Sequence, residues 1–328
     1  MKALVLKKVG TLELVEDYPD PTPKASEVVV KVKFCGICGS DLEAYQYGMV
    51  LMPLVLGHEF SGVIDQVGEK VEGWKQGDRV TAFPGDFCGN CYFCKSGQEN
   101  ICSKILAGLG ITVNGAIAEY VKLPAKVLCK LPDSVSFKEG ALVEPLSVGY
   151  HGVQLSNIRP SDTAVVIGAG TIGLATIQAL KLLNVENIYI SEPSEFNRSL
   201  ALQMGARTVG NLARINKIGP DFVFDCAGFP ETYKNDLTIV RKGGTVMLLG
   251  VHFEPVSIPF LQLIVKEVTL KGSFGYSFKE FKEVLRGLAE KKFQTDLMFK
   301  SVKLETAIEG FKELVAPNRQ VCKILIEI

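Results

Sequence analysis

A glycine-rich turn between an apolar run and a helical pattern constrains the fold of this chain more than any other feature. Gly168, Gly170 and Gly173 follow the apolar residues 164–167 and open a helix-type pattern that continues to about residue 183. In such a strand–turn–helix unit the first glycine permits the turn, the second lets the backbone approach a pyrophosphate, and the third allows close helix–strand packing. The amino terminus of the helix then faces the phosphates. The sequence therefore predicts a βα unit that binds a dinucleotide.

A carboxylate in the next predicted strand supports this interpretation. Glu192 follows the strand-like residues 187–191 and lies nineteen residues after Gly173. A carboxylate at this point can accept hydrogen bonds from the ribose hydroxyls of adenosine and would repel a 2′-phosphate. NAD is therefore favoured over NADP, although Arg198 nearby is a residue type that accommodates a 2′-phosphate. The alternative is a glycine-rich turn that binds no ligand.

The hydrophobic patterns before and after Pro145 differ. Before it, short β-type runs alternate with Gly, Pro and Asp turns, which predicts a mainly β domain. After it, strand and helix patterns alternate, which predicts an α/β domain with a parallel sheet covered by helices. A helical stretch at 278–291 and a strand at 321–328 end the chain, and we expect this end to rejoin the first domain. The predicted division is 1–145 with 286–328, and 146–285.

Size and charge agree with two domains that bind small molecules. The chain has 328 residues, with 36 basic and 36 acidic side chains, and its length favours two domains. A sequence pI near 6.8 provides no basic surface, so neither nucleic acid nor a membrane is an expected partner. The amino terminus lacks the pattern of a signal peptide, and a cytoplasmic location is expected.

Four cysteines form a compact pattern in a turn-rich segment. Cys88, Cys91, Cys94 and Cys102 are separated by two, two and seven residues. Four thiolates from one short loop can close a tetrahedral zinc site. A closed site leaves no position for a substrate, so this zinc is expected to hold together a lobe, about residues 85–105, that lacks its own core. The alternatives are four unligated thiols or an iron–sulfur cluster.

A second set of metal-ligating residue types is dispersed along the chain. It comprises Cys38, the adjacent pair His58 and Glu59, and Glu144. Each is a weak signal on its own, because a single histidine in a glycine-containing turn more often forms a structural hydrogen bond than a metal bond. Spacing alone does not join them into one site.

In order along the chain, however, these motifs resemble the zinc-dependent medium-chain alcohol and polyol dehydrogenases. The similarity is greatest to the branch containing sorbitol, 2,3-butanediol and threonine dehydrogenases, which has a glutamate at the position of Glu144. Five motifs carry the resemblance: Cys38-Gly39-Ser40-Asp41, Gly57-His58-Glu59-Phe60-Ser61-Gly62, the four-cysteine loop, Glu144-Pro145-Leu146-Ser147-Val148 and Gly168-Ala169-Gly170-Thr171-Ile172-Gly173.

The resemblance implies a GroES-like catalytic domain, a Rossmann cofactor domain, NAD as cofactor and two zinc ions per chain. It assigns Cys38, His58 and Glu59 to a catalytic zinc, which Glu144 binds directly or through a water. Zinc with an open position favours the substrate alkoxide, so the carbinol hydrogen can leave as hydride. Ser40 matches the hydroxyl that passes the alcohol proton outward. Cofactor contacts are implied for Gly168, Gly170, Thr171, Ile172, Gly173, Glu192, Arg198, Leu249, Gly250, Val251, Ser273, Phe274 and Gly275.

Two positions depart from the family pattern. Glu43 stands where a relay histidine is common, so proton exit uses that carboxylate, water or another path. Gly275 stands where sorbitol dehydrogenases present an arginine to the polyol. The loss of that guanidinium favours smaller or less polar secondary alcohols and vicinal diols. Tyr45 and Phe274 are expected either to shape an apolar pocket or to lie in the core.

The resulting hypothesis is an NAD-dependent zinc oxidoreductase that acts on secondary alcohols, vicinal diols or small polyols. A threonine or sugar dehydrogenase of the same family is one alternative. A non-catalytic module that binds zinc and nucleotide is another, from a different class. The resemblance also suggests a homotetramer or homodimer joined in part through edge strands of the cofactor domains.

Overall fold

The computed structural model describes residues 1–104, 107–209 and 212–328. By their internal contacts these residues divide into two compact units. The first comprises Met1–Glu144, Ser277–Lys291 and Phe299–Ile328, and the second comprises Pro145–Tyr276 and Lys292–Met298.

Eighteen strands and ten α-helices are found among the described residues. The strands are β1 (Ala3–Lys8), β2 (Thr11–Val15), β3 (Glu27–Gly36), β4 (Leu54–Val55), β5 (Glu59–Val67), β6 (Arg79–Ala82), β7 (Gly85–Asp86), β8 (Ala107–Gly108), β9 (Tyr120–Pro124), β10 (Leu128–Lys130), β11 (Thr163–Ile167), β12 (Asn187–Ser191), β13 (Arg207–Thr208), β14 (Phe222–Asp225), β15 (Thr245–Leu248), β16 (Thr269–Gly272), β17 (Phe299–Lys303) and β18 (Lys323–Glu327).

The α-helices are α1 (Gly39–Tyr47), α2 (Tyr92–Lys95), α3 (Phe137–Ser156), α4 (Thr171–Leu182), α5 (Glu195–Gln203), α6 (Leu212–Ile218), α7 (Pro230–Ile239), α8 (Phe260–Val265), α9 (Phe278–Ala289) and α10 (Ala307–Val315). None of the helices in the described ranges combines the length and hydrophobicity that a transmembrane segment requires.

The first unit is built on antiparallel strands. Its main sheet has the order β10-β6-β5-β3-β18-β17, and β9 also pairs with the long strand β3. A smaller sheet has the order β2-β1-β4. The terminal strand β18 pairs antiparallel with the end of β3, while its other neighbour β17 is parallel to it. The end of the chain therefore lies beside the strand that leads into the Cys38 motif.

The second unit contains a six-stranded parallel sheet with the order β13-β12-β11-β14-β15-β16. Counted within this unit the order is 3-2-1-4-5-6, that of a doubly wound dinucleotide-binding sheet. Ligands of such sheets bind outside the carboxyl ends of the strands where the order reverses, here between β11 and β14. The glycine-rich turn follows β11 directly.

The first boundary drawn on the sequence lies within one residue of the division between Glu144 and Pro145, whereas the second differs. The change of pattern at Pro145 lies inside the continuous helix α3, although a proline cannot donate a backbone hydrogen bond. The predicted return to the first domain at residue 286 would divide α9. The contacts instead keep α9 whole in the first unit, from Ser277 onward. Ser277 caps α9 and pairs reciprocally with Glu280, which fixes the start of this helix.

Candidate active site

Three neighbouring strands bring a buried acid and a buried base together in the first unit. Gly36 at the end of β3 is opposite Glu59 on β5 and opposite Leu325 on β18. Lys323 lies two residues before Leu325 and so shares its face of the sheet. Its ammonium group donates to both carboxylate oxygens of Glu59 at 2.7 Å and to the carbonyl of Ile37 at 2.8 Å.

Gly36 is what lets this ion pair form across the middle strand. A Cβ atom at this position would lie 2.1 Å from Glu59 Oε2. The Glu59 carboxylate therefore occupies the space that a side chain at position 36 would fill. Although burial opposes the charged form, Glu59 raises the pKa of Lys323 well above its usual range. The Lys323 ammonium group is therefore charged although it is buried.

The Cys38 and His58 segments are held together by a second buried acid. Asp41, in the first turn of α1, accepts a hydrogen bond from the Cys38 backbone at 2.9 Å and another from the Gly57 backbone at 3.0 Å. Gly57 has a φ of 94°, and a Cβ there would lie 2.8 Å from Cys35 Sγ. Glycine is therefore needed at the residue that orients His58.

Cys38, His58 and Glu59 form a group that fits a metal ion. One ligand atom from each lies within 4.8 Å of the others. His58 Nδ1 is buried and has no hydrogen-bond partner among the described residues, which is costly unless another group binds it. Burial lowers the pKa of His58, but the charges of Cys38, Asp41 and Glu144 outweigh it and raise that pKa. One sulfur, one imidazole and one carboxylate suit zinc in an open site.

Glu144 is buried near this group but is not part of it. Its carboxylate acts on His58 and Lys323 through its charge. In the part of the chain that the structure describes, the residues close enough together to share one metal ion here are Cys38, His58 and Glu59. The assignment of Glu144 as a direct or water-mediated ligand stays a prediction.

The four-cysteine loop forms a second metal site. The sulfur–sulfur distances include 3.5 Å between Cys91 and Cys94, 3.6 Å between Cys88 and Cys102, and 3.9 Å between Cys91 and Cys102. Four sulfurs at the Zn–S length of about 2.3 Å in a tetrahedron lie roughly 3.8 Å apart. Backbone N–H groups of Cys94 and then Ser103 lower the pKa of Cys91 to about 5, which favours the thiolate. This arrangement is a structural tetrathiolate zinc site.

The dinucleotide turn has the predicted geometry in the second unit. Gly168 has a φ of 87°, and a Cβ on Gly173 would lie 1.9 Å from the Gly168 carbonyl oxygen. A Cβ on Gly170 would meet nothing within 4 Å, so the space in front of the α4 amino terminus is open. The protein's own backbone therefore requires glycine at positions 168 and 173. The free space beside Gly170 suits a pyrophosphate.

Comparison with known proteins assigns both parts of the chain. Residues 24–133 match the alcohol dehydrogenase GroES-like domain, and residues 171–290 match the zinc-binding dehydrogenase family. Human sorbitol dehydrogenase is 33% identical over 94% of this chain and 91% of the human protein. The chain belongs to the zinc-containing medium-chain alcohol dehydrogenase family. The family resemblance and the predicted fold are therefore confirmed.

Two solved structures extend this similarity over 100% of the chain and 99% of each relative. 2R,3R-Butanediol dehydrogenase from Bacillus subtilis has a TM-score of 0.91 and 31% identity. The Escherichia coli protein rspB, complexed with NADH, has a TM-score of 0.93 and 30% identity. This medium-chain dehydrogenase is thus of the zinc-dependent, NAD(P)-linked alcohol and polyol type.

In this dehydrogenase Glu192 is fixed against the glycine turn. Its carboxylate accepts hydrogen bonds from the backbone of Ala169 at 2.7 Å and of Ser194 at 2.8 Å. Arg198 donates to the carbonyls of Glu192 and Pro193, at 2.8 and 3.1 Å. The Arg198 guanidinium therefore binds the main chain of Glu192 and of the residue that follows it.

The other predicted cofactor residues lie in the loops after β15 and β16 and at the start of α4. The Leu249 and Gly250 backbones both donate to the Asp225 carbonyl at 2.8 Å, and Val251 is exposed. Ser273 Oγ is buried without a partner among the described residues. Gly275 has a φ of 57°. Thr171 and Ile172 begin α4.

The predicted proton-relay and pocket residues lie on α1 and after β16. Ser40 is exposed, and Glu43, one helical turn further on, is half-buried. Burial raises the pKa of the Glu43 carboxyl. The Tyr45 ring packs edge-on against Phe311 at 5.8 Å, while Phe274 is 64% exposed. Tyr45 thus has a packing role within the first unit, and Phe274 is not a core residue.

Sequence reasoning missed Lys323 and Asp41 as parts of the site. Lys323 lies in the otherwise apolar run 321–326, and a lysine there signals a buried charge that needs a partner. Asp41 is three residues after Cys38, the spacing at which a side chain caps the start of a helix. Both signals were present, but neither identifies the partner.

Proposed function

We propose that this protein transfers a hydride from a secondary alcohol, vicinal diol or small polyol to NAD. The observation that carries the proposal is the group of Cys38, His58 and Glu59, with its unpartnered buried imidazole nitrogen, in a chain that also has the dinucleotide turn. The substrate loses a hydride to the nicotinamide and a proton to solvent, which yields the ketone.

Each residue has a distinct part in this reaction. Cys38, His58 and Glu59 would hold the catalytic zinc, which supplies Lewis acidity toward the substrate oxygen when bound. Asp41 orients the Cys38 and Gly57 backbones, and Lys323 holds Glu59 in place. Ser40 accepts the hydroxyl proton and passes it outward. Glu43 or water would receive that proton, and burial raises the Glu43 pKa toward the pH at which the enzyme works.

The geometry of Glu192 supports NAD rather than NADP. Two backbone donors hold its carboxylate beside the glycine turn, where it would accept hydrogen bonds from the adenosine ribose hydroxyls. Arg198 uses its Nη1 on two backbone carbonyls, which holds the guanidinium against the main chain at Glu192 and Pro193. Among the similar solved structures one holds NADH and another, a zinc-binding dehydrogenase from Sinorhizobium meliloti, holds NADP, so the proposal of NAD depends on Glu192.

The substrate class follows from Gly275 and from the relatives. No side chain at this position can donate to polyol hydroxyls, and its φ of 57° favours glycine. A small diol therefore fits better than a hexitol. Butanediol dehydrogenase and sorbitol dehydrogenase are both similar to this chain, so the test must include both substrate sizes. Threonine and sugars remain the alternative substrates.

We also propose a homo-oligomer that involves the cofactor-binding unit. Strand β16 is an edge of the parallel sheet and so presents unpaired backbone groups. Exposed apolar side chains lie on α8 and β16, which is unfavourable in a monomer. They are Phe260, Leu261, Ile264, Val265 and Leu270.

The test is reduced-cofactor formation with a panel of 2,3-butanediol stereoisomers, sorbitol, xylitol and threonine, each with NAD and with NADP. The expected result is the highest kcat/KM for a small diol with NAD, lost on chelation and restored by zinc. Turnover indifferent to metal removal would refute the proposal. If the protein is instead a non-catalytic module, it will bind zinc and NAD but oxidise no substrate in the panel.

A further inference from the structure

Asp236 on α7 is a buried acid that the proposed reaction does not use. It is 1% exposed, and neither of its carboxyl oxygens has a hydrogen-bond donor among the described residues. No basic side chain of the described ranges forms an ion pair with it. An ionised carboxylate in such a position is strongly unfavourable. The geometry therefore indicates that Asp236 carries a proton.

The acid beside Asp236 is Asp225, at the end of β14, because Thr232, one turn before Asp236 on α7, donates to the Asp225 carboxyl. Asp225 is fully buried, and its Oδ1 accepts hydrogen bonds from the backbones of Ala227 at 2.8 Å and Gly228 at 2.9 Å. Its Oδ2 accepts from the Thr232 hydroxyl. The Asp225 carboxyl therefore acts as an acceptor at both of its oxygens. A protonated Asp236 can then donate to it.

The remaining titratable groups near the pair do not compensate its charge. Burial and the charges of the two acids raise the pKa of Tyr233 on α7 and of Cys226 after β14. For Tyr233, burial is the largest cause and the charge of Asp225 the next, and together they raise its pKa to about 12. Burial and then Asp225 raise the pKa of Asp236 to about 10. Lys266 donates to the Leu237 and Thr238 carbonyls at the end of α7.

Asp225 connects the three loops that follow β11, β14 and β15. Its backbone carbonyl accepts the Leu249 and Gly250 N–H groups. The turn it holds lies against the other two loops, because a Cβ on Gly168 would meet Ala227 at 3.1 Å and one on Gly250 would meet Gly228 at 2.3 Å. Tyr233 on α7 donates to the Gly250 carbonyl at 2.9 Å. Strand β14 and helix α7 thus fix the loops at the switch point of the sheet.

We propose that Asp225 and Asp236 share one proton, and that this pair positions the loops against which the dinucleotide binds. Both are positioning residues, since neither is assigned a contact with the cofactor. Loss of the shared proton places two negative charges side by side and separates α7 from β14. The effect on the cofactor rests on the proposed function, whereas the proton itself is a property of the free protein.

The test compares the wild type with Asp236→Asn, which is neutral at all pH values and keeps a donor, and with Asp236→Leu, which has none. Glu231→Gln, an exposed position on the same helix, is the matched control. Thermal unfolding of the full zinc-loaded chain is measured between about pH 6 and about pH 10.5, and NADH affinity by fluorescence at both limits. An infrared band of a protonated carboxyl is sought at about pH 8 in the protein without cofactor.

The direction in which stability changes with pH follows from the pKa of Asp236, which is raised in the folded state. Stability from the shared proton is present at low pH and is lost as pH rises toward the raised pKa. The thermal advantage of Asp236→Asn over the wild type should therefore grow with pH, and the infrared band should be absent from that variant. NADH affinity of the wild type should fall about fivefold between the two limits, with little change in Asp236→Asn. Asp236→Leu should bind NADH more weakly at both.

If the difference in melting temperature between Asp236→Asn and the wild type is the same at every pH, and no carboxyl band is seen, the shared proton is overturned. A growing thermal difference with equal NADH affinities would overturn the positioning role. If no variant binds NADH but the band and the thermal trend are present, the proposed cofactor function fails and the proton pair stands. If Asp236→Leu does not fold, Asp236→Asn and its control Glu231→Gln still test both the shared proton and the positioning role.

Discussion

Lys323 donates to both carboxylate oxygens of Glu59 at 2.7 Å, and the two side chains are 3% and 1% exposed. The pair reaches across Gly36, whose lack of a side chain leaves room for the carboxylate. The terminal strand therefore has a direct role in the candidate active site, because it supplies the cation that holds a proposed zinc ligand.

Replacing Lys323 by methionine should lower the free energy of unfolding by about 3–5 kcal/mol, because it leaves the Glu59 charge buried without a partner. Denaturant unfolding and zinc content measure the effect. Lys323→Arg should retain most of the stability and metal. Lys291→Met removes the exposed pair with Glu139 and should cost less than about 1 kcal/mol. Equal losses for Lys323→Met and Lys291→Met would contradict the role of the buried pair.

Replacing Cys102 by serine should remove one zinc ion per chain and lower the melting temperature, because the tetrathiolate site holds the lobe that contains it. Elemental analysis and thermal unfolding measure this. Cys129→Ser is the control, since Cys129 is also buried but lies on β10 outside both metal groups. If Cys102→Ser keeps the wild-type zinc content, the tetrathiolate assignment is wrong.

Replacing Glu192 by alanine should weaken NAD binding about tenfold, because two ribose hydrogen bonds are lost. NADP binding should change less or improve, since the repelling carboxylate is gone. Calorimetric titration with each cofactor gives the ratio. Glu195→Ala, an exposed change in the first turn of α5, should leave both affinities unchanged. A larger loss for NADP than for NAD would reverse the assigned preference.

Asp162 gives a pH dependence of the opposite sign to that of Asp236. Burial raises its pKa, but hydrogen bonds from Arg159 outweigh burial and lower that pKa below the ordinary value. Its contribution is therefore present above the unfolded pKa and is lost as pH falls through the folded one. Asp162→Asn should be less stable than the wild type by about 1 kcal/mol at neutral pH. The gap should close below about pH 4, and a gap that widens there would contradict this account.

Much of the fold could be predicted from the sequence, because local patterns determine it. The residues 164–167 and 187–191 predicted two strands, and the structure has β11 and β12 at these places. The glycine turn and the spacing of the four cysteines also specify their geometry locally. The edge strand β16 carries lysine and threonine and gave no such signal.

The candidate active site could not be assembled from local patterns. Cys38 and His58 lie just before α1 and β5, and Glu59 and Lys323 lie on β5 and β18, which meet only through their shared neighbour β3. The family resemblance supplied the first three. The resemblance did not include Lys323. A lysine in an apolar strand indicates a buried ion pair but does not identify the acid that pairs with it. Asp236 was missed for a similar reason, because one aspartate in an amphipathic helix is usually exposed.

The most direct test of the central claim is zinc content and turnover of Cys38→Ser with NAD and 2,3-butanediol. The substitution removes one sulfur from the Cys38, His58 and Glu59 group and leaves the tetrathiolate loop unchanged. The variant should retain one zinc ion per chain and bind NAD like the wild type, with kcat lowered by at least about a thousandfold. A variant that keeps two zinc ions and wild-type turnover would contradict a catalytic metal at this group.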